Sequence, residues 1–312
     1  MMKKRILKTV VIIFVAVAVI GGAVYGGIQV SKAAYLNNYL KKLDESGLFE
    51  NTSQDRIPQN ALYSVILNHV RYNESGKTPM LLFIGYDGFL ANAVNFTEDS
   101  AIQRVAKSGG LYLGYAGGQT IGEQETWTAP GWATFFTGVY ADTHKVYDNE
   151  YTLSPDVESV IYTFGKSGIE TSFSVSWKNH FTVTYKGEIE KASEYNYPIR
   201  YALSTDDTGT KNAMKSGIAS GERAIFGIFE YTDHAGHSYG FDLKKKEYAA
   251  AVQDAESAGN ELIDAVYSRE NFENEDWLII ITTDHGGYEI NHGGFTIPET
   301  TIFFAVNKIG CF

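Results

Sequence analysis

Residues 230 to 240 read EYTDHAGHSYG and residues 282 to 294 read TTDHGGYEINHGG, and a shorter stretch, GYDG, spans 85 to 88. Carboxylate and imidazole at this density are the ligands of a Zn²⁺ or Mn²⁺ centre that keeps positions open for water or substrate. Asp233 and His237 stand four apart across a glycine-containing turn. His234 is closer, but the period-two geometry of a strand end points it away from Asp233, so it reads as supporting or surface. Asp284 and His285 are adjacent, and Gly286 and Gly287 permit the turn that lets both face one ion. His292 follows in a second His-Gly-Gly. Among the other histidines, His69 reads as a partly buried interface residue and His180, without an acidic neighbour, as structural.

A nucleophile is offered by ETWTAPGWATFFTGVYADTHKVYDN, residues 125 to 149. Thr128 before Ala-Pro-Gly-Trp is expected at the N-cap of a helix with Pro130 in its first turn. Free N–H groups and the positive dipole end make that position suited to a phosphate. A threonine there, beside a divalent cation, can ionise and attack phosphorus without a histidine base.

The elements that must position these groups are short apolar runs alternating with helical patterns. MLLFIGYDG is expected as a strand ending at Asp87, RAIFGIFEYTD as one ending at Asp233, and WLIIITTDHGG as one ending at Asp284 and His285. ETSFSVS (170–176) and TIFFAVN (301–307) are further candidates. The stretch from Lys244 to Ser268 carries helical spacing through Tyr248, Val252, Leu262, Ile263 and Val266. Such alternation predicts an α/β fold, a mostly parallel sheet covered on both faces. Ligands bind at the carboxyl ends of strands in such sheets, where three aspartates are expected.

Taken in order, GYDG, TAPGWATFFTG, YADTHKVYDN, DHAGH, TTDHGG and NHGG resemble the alkaline phosphatase superfamily, and within it the type I phosphodiesterase/nucleotide pyrophosphatase branch. The resemblance runs from residue 80 to 298 and implies a three-layer α/β/α sandwich. It implies two divalent cations, Zn²⁺ by preference or Mn²⁺, one held by Asp87, Thr128, Asp284 and His285 and the other by Asp233, His237 and His292. Asn149, 21 residues after Thr128, would bond a phosphate oxygen. His144 would be structural. The implied reaction is a double in-line displacement through a phosphorylated Thr128 on a small phosphate-ester substrate. Many members place the last histidine much further along the chain; mutase-like members place it soon after Asp-His, as here.

Other readings share some of these residues. A sulfatase needs a cysteine or serine in a C/S-x-P-x-R context, which Thr128 with Gly131 and Trp132 does not supply. A phosphomonoesterase commonly adds a cationic clamp, and no arginine lies near these motifs, which favours diesters. A phosphotransferase of the superfamily and a non-catalytic ligand-binding ectodomain on the same fold stay open.

The chain has 312 residues, and Thr9 to Val30 is free of charge, enough for a helix to cross a bilayer of about 30 Å. Lys3, Lys4, Arg5 and Lys8 precede it and Lys32 follows, which keeps the N-terminus cytoplasmic and exports the rest. A cleaved signal at Ser31-Lys32-Ala33 is the rival reading. The expected organisation is 1–32 basic residues and transmembrane anchor, 33–78 helical connector, and 79–312 catalytic domain outside the cytoplasm. Beyond residue 33 there are 21 Lys and Arg against 37 Asp and Glu, a net charge of −16 that disfavours nucleic acid. Cys311 is the single cysteine, so no intramolecular disulfide can form.

Overall fold

The computed structural model describes residues 34–36, 38–72 and 75–312. One eight-stranded sheet organises it: β1 (Ile57–Pro58), β2 (Thr78–Tyr86), β3 (Gly110–Tyr115), β4 (Thr171–Val175), β5 (Ile199–Leu203), β6 (Ala224–Phe229), β7 (Glu275–Thr282) and β8 (Thr301–Val306). Their order across the sheet is β1-β3-β8-β7-β2-β6-β4-β5. Every pairing is parallel except those of β8, which runs antiparallel to β3 and β7.

The central strand β2 is apolar almost throughout because both of its faces are covered. Leu82, Ile84 and Tyr86 enter one core with the helices Asp207–Ser220 and Lys246–Tyr267, while Leu81 and Phe83 enter another with Ala61–Tyr72, Thr128–Thr137 and Val160–Lys166. This alternation is the strand period of two read on two buried faces. Each fully buried Leu, Ile or Phe contributes about 1.5–3 kcal/mol of transfer free energy, so the middle of the sheet is its most firmly held part. The result is a three-layer α/β/α arrangement. Within residues 33–78, expected as a connector, β1 pairs with β3 and the helix Ala61–Tyr72 buries Leu62, Ile66 and Val70 against the sheet.

Register explains where chemistry collects. Gly85 of β2 pairs with Thr282 of β7, and Tyr86 of β2 pairs with Phe229 of β6. One or two residues further on, the three strands release Asp87, Asp284 and Glu230 at one level of the sheet's carboxyl edge. Gly88, at φ +63°, then turns the chain away; a Cβ there would lie 3.0 Å from Asp233 Oδ1.

Two local expectations need correction. The strand expected to end at Asp233 ends at Phe229, and Asp233 lies in the first turn of a helix, Tyr231–Tyr239. Four residues are about one helical turn, so Asp233 and His237 share a face by helical spacing rather than across a loop. Thr128 is not the N-cap: Trp127 is, in extended conformation, and Thr128 is the first helical residue. Among the described residues no helix is long and apolar enough to cross a membrane, and the run Thr9–Val30 lies outside them.

Candidate active site

The nucleophile candidate is buried at the start of the helix Thr128–Thr137, its Oγ1 3.4 Å from His285 Nε2. Its hydroxyl does not serve as a cap, because Asn149 reaches in from the following loop: Asn149 Oδ1 accepts the Ala129 N–H at 2.9 Å. That bond fixes the amide orientation and leaves the Asn149 NH₂ as a donor beside Thr128. The helix packs closely on the opposite strand end, since a Cβ on Gly131 would lie 3.0 Å from Asp284 Cβ.

Around Thr128 the predicted residues converge. His285 Nε2 lies 3.4 Å from both Asp87 Oδ1 and Asp284 Oδ2. Asp233 Oδ1 lies 3.4 Å from His237 Nε2 and 3.5 Å from His292 Nε2. Two groups result whose ligand atoms all fall within 4.8 Å of one another, Asp233 with His237 and His292, and Asp87 with Asp233 and His285. Asp233 thus belongs to both, a bridge that the resemblance did not supply.

The histidines share one arrangement. His285 Nδ1–H donates to the Gly286 carbonyl at 2.7 Å, His237 to Ile290 at 2.9 Å and His292 to Thr126 at 2.8 Å. Each bond places the proton on Nδ1 and leaves Nε2 as a bare lone pair turned towards the aspartates, the form in which imidazole binds a metal. Burial pushes His285 well below the ordinary imidazole range, with His292 adding to the effect, and lowers His292 as well. Asp87 is oriented by Trp132, whose Nε1–H donates to Oδ2 at 3.0 Å, and Gln59 donates to the Asp284 carbonyl at 2.8 Å.

The carboxylates do not balance one another. Among the described residues, Asp87 Oδ1, Asp233 Oδ1, Asp284 Oδ2 and Glu230 Oε1 are buried without a hydrogen-bond partner. Burial, reinforced by the neighbouring carboxylates, raises Asp87, Asp284 and Glu230 well above the usual range. Buried charges are paired or coordinate metals. Orphaned oxygens facing bare imidazole nitrogens therefore fit divalent cations, and the residues present suit such a site.

Glu230 was not foreseen. It was read as part of an apolar strand running to Asp233, whereas the strand stops one residue before it; the signal was the acid that directly follows AIFGIF. Its main-chain N–H is held by Asp207, at 3.1 and 3.0 Å to the two carboxylate oxygens. The bland readings of the remaining histidines agree with their surroundings. His69 Nε2 faces the carbonyls of Met80 and Asp276, His144 Nδ1 accepts the Val146 N–H, His180 is buried among Phe173, Trp177 and Tyr185, and His234 is exposed. A cavity of about 720 Å³ lies elsewhere, lined by residues including Pro58, Tyr115, Gln119, Tyr140 and Asp142, none of them a candidate ligand.

Comparison with known proteins points the same way. No curated protein matches the chain. Among solved structures it resembles a 2-O GAG sulfatase (TM-score 0.54, 16% identity, covering 75% of this chain and 65% of that one). It also resembles a phosphonate monoester hydrolase of Agrobacterium radiobacter (TM-score 0.50, 12% identity, 73% and 68% covered). A looser likeness is to murine ectonucleotide pyrophosphatase/phosphodiesterase 5 (TM-score 0.46, 15% identity, 66% and 57% covered). At these identities the likeness is one of fold, and the chain spans about two thirds of the sulfatase's length. The family model for type I phosphodiesterase/nucleotide pyrophosphatase matches residues 81–299, a span that opens in β2 and closes just before β8. With an alkaline-phosphatase-like sheet beneath it, the chain belongs to the type I phosphodiesterase/nucleotide pyrophosphatase family.

Proposed function

We propose that this protein is a two-metal phosphoesterase that cleaves a phosphate diester or pyrophosphate through a phosphothreonine at Thr128. The observation that carries the reading is the hydroxyl of Thr128, released from capping by Asn149 and set 3.4 Å from His285 Nε2 amid orphaned carboxylate oxygens. Asp87, Thr128, Asp284 and His285 would hold one cation and Asp233, His237 and His292 the other, Zn²⁺ by preference or Mn²⁺. When bound, the ions supply Lewis-acid stabilisation of charge on the phosphoryl oxygens and lower the pKa of the threonine hydroxyl.

The protein's own part is placement. Thr128 Oγ1 gives up its proton to solvent and forms the bond to phosphorus as the bond to the leaving oxygen breaks, and the leaving oxygen takes a proton back from water. Water then attacks the phosphothreonine from the opposite side and restores the hydroxyl. The Asn149 amide donates to a non-bridging oxygen. Of the first helical N–H groups, that of Ala129 is taken by Asn149, Pro130 has none and that of Gly131 goes to the Trp127 carbonyl, which leaves the Thr128 N–H for the same anion. Trp132 holds Asp87 in orientation.

Charge favours diesters. Arg56, Arg71, Arg104, Arg200, Arg223 and Arg269 are each engaged elsewhere, with Thr301, Ser167, Asp264, Glu222, the Pro79 carbonyl and Glu275. None serves as the clamp that the second negative charge of a monoester favours. The basic flank of Thr9–Val30 supports an anchor with the catalytic domain outside the cytoplasm.

The test is hydrolysis of bis(p-nitrophenyl) phosphate and p-nitrophenyl phosphate by the full chain with added Zn²⁺ or Mn²⁺, beside Thr128→Ala. Diester turnover that disappears in the variant is the expected result. Full activity in Thr128→Ala refutes the nucleophile, and silence on both substrates in metal-loaded protein moves the reading to a phosphotransferase or a binding protein.

A further inference from the structure

We propose that Gln59, from the segment that precedes the central strand, is a positioning residue for the paired ligands Asp284 and His285. Its main chain is pinned one residue beyond β1, where the Gln59 N–H donates to the Tyr115 carbonyl at 3.1 Å. The side chain turns inward, fully buried, and its Nε2–H donates to the Asp284 carbonyl at 2.8 Å. The family model matches residues 81–299, so this donor comes from outside the matched span.

The peptide plane shows what that bond controls. Asp284 and His285 are adjacent, and neighbours leaving a strand ordinarily point to opposite sides. Both nevertheless reach one centre, with His285 Nε2 3.4 Å from Asp284 Oδ2 and from Asp87 Oδ1. The two side chains hang from the two Cα atoms of a single rigid amide plane, whose oxygen is the Asp284 carbonyl. Fixing that oxygen fixes the tilt of the plane, and with it the aim of both ligands. Pairing of β7 has ended by then, at Thr282, and Gln59 supplies the donor that the ladder no longer does. The nucleophile's helix closes on the same oxygen: a Cβ on Gly131 would lie 3.4 Å from it.

The second observation is the oxygen that Gln59 leaves idle. A carbonyl only accepts, so the amide must turn its NH₂ towards Asp284. Gln59 Oε1 is then, among the described residues, buried without a hydrogen-bond partner. Buried acceptors are almost always satisfied, and a side chain placed for packing alone would carry no such atom. Glutamate, of the same length, would set a carboxylate against the Asp284 carbonyl. The donor is what an apolar side chain of this size lacks.

The same segment meets the other end of the ligand loop. Tyr35 stacks on Tyr288, with ring centroids 6.3 Å apart and planes at 26°, and Tyr288 pairs with Asn291 immediately before His292. Residues ahead of β2 therefore touch the stretch from Asp284 to His292 near both of its ends.

This role rests on the two-metal reading above, and its test reads metal binding rather than turnover. The full chain carrying Gln59→Met or Gln59→Leu, each without the donor, is titrated with Zn²⁺ under a competing chelator beside the native protein and Ile66→Val. Ile66 is buried in the helix Ala61–Tyr72 of the same segment and serves as the control for lost packing. The Gln59 variants are expected to lose about 10–100-fold in affinity for at least one Zn²⁺, as loss of an orienting partner does elsewhere, while Ile66→Val binds like the native chain. Saturating Co²⁺ gives a second readout: its visible absorption should change shape in the Gln59 variants and not in Ile66→Val. Native affinity and an unaltered Co²⁺ spectrum in a folded Gln59 variant overturn the role of Gln59. An equal loss in Ile66→Val also overturns it, by making the effect one of general stability. Native protein that takes up neither ion overturns the two-metal reading, and the role of Gln59 with it.

Discussion

The imidazoles of His285 and His292 lie face to face, their centroids 3.8 Å apart and their planes 17° from parallel, although the two rings belong to different halves of the ligand set. Two imidazolium ions would repel at that distance, so the stack excludes the doubly protonated pair; burial disfavours charge on either ring, and the Nδ1–H bonds to Gly286 and Thr126 are compatible with both being neutral. The ring of one half therefore braces the ring of the other. His292→Ala is expected to weaken binding of both cations, by roughly 10–100-fold for the site that retains its own ligands, as loss of an orienting neighbour does elsewhere. Metal content per chain, measured after dialysis against graded free Zn²⁺, checks this; a loss confined to one ion contradicts it.

One substitution can separate the bond that Asn149 accepts from the Ala129 N–H from its proposed donation to phosphate. Asn149→Asp keeps an acceptor for the Ala129 N–H but removes the donor and adds a charge that repels phosphate. Asn149→Ala removes both. The aspartate variant is expected to melt within about 2 °C of the native protein yet lose at least about tenfold in kcat/KM for a diester. The alanine variant should in addition lose about 1 kcal/mol of stability, the usual worth of a helix cap. Thermal melts paired with steady-state kinetics distinguish the two.

Trp132 is buried and its indole N–H bonds to Asp87 Oδ2 at 3.0 Å. Trp132→Phe keeps most of the aromatic packing with Phe83, Phe135 and Phe136 while leaving that oxygen without its donor. An approximately 10–100-fold drop in metal affinity is expected, larger than the loss of stability would account for. Titration with Zn²⁺ under a competing chelator measures it, and unchanged affinity would show that Asp87 needs no such support.

Removal of the cations should also register as lost stability. Chelation leaves the orphaned oxygens of Asp87, Asp233 and Asp284 buried without compensation. A ligand at a hundred times its Kd contributes about 2.7 kcal/mol per site, and at this chain length each kcal/mol moves Tm by about 2–4 °C. A fall of about 5 °C or more on adding EDTA, reversed by Zn²⁺ or Mn²⁺, is the expected melt.

Away from the site, two buried glutamates set a pH dependence of folding. Glu188 accepts the Ser159 N–H and Oγ–H, each at 2.6 Å, and Glu256 accepts from Ser100 and Ile102. Burial raises each to about 7 from the model-peptide value of 4.5. The folded state thus holds protons that the unfolded chain releases near 4.5, so this contribution is complete below that pH and is lost as pH rises through about 7. Buried neutral His144 and His180, lowered by burial to about 4 and about 3, act in the opposite sense up to about pH 6.5, so the readout is the difference between proteins: from pH 5 to pH 8 the Tm of Glu188→Gln should fall less, or rise more, than that of the native protein. A slope unaltered by the substitution would assign the effect to other groups.

The parts of this architecture legible beforehand are those with strong local signals. β2, β6 and β7 announce themselves as unbroken apolar runs because both faces are buried, and candidate ligands stand directly at or just past their ends. β3 was not recognised because GLYLGY carries two glycines and alternates weakly, and β5 was missed because the edge strand IRYAL is only half buried and includes Arg200. β1, two residues long, has no periodicity to read. The helical placement of Asp233 was hidden by Gly236 and Gly240, which suggest a loop; the structure uses Gly236 instead for close approach, since a Cβ there would lie 2.3 Å from the Phe241 ring. Glu230 and the shared role of Asp233 follow from register between strands distant in sequence, which no local pattern contains.

That register also governs when the fold can form. β2 lies between β6 and β7, pairing Leu81 with Ala224 and Thr78 with Glu275, so its two neighbours lie far downstream in the chain. Loops of this length must close before the central strand gains a partner, which makes folding slow and leaves an apolar strand exposed in the meantime. The last ligands, Asp284 to His292, come in with the same late segment, so a growing chain presents Asp87 and Thr128 long before anything can complete their site. Truncation anywhere before β7 therefore removes the candidate metal ligands Asp284, His285 and His292 and the middle of the sheet together.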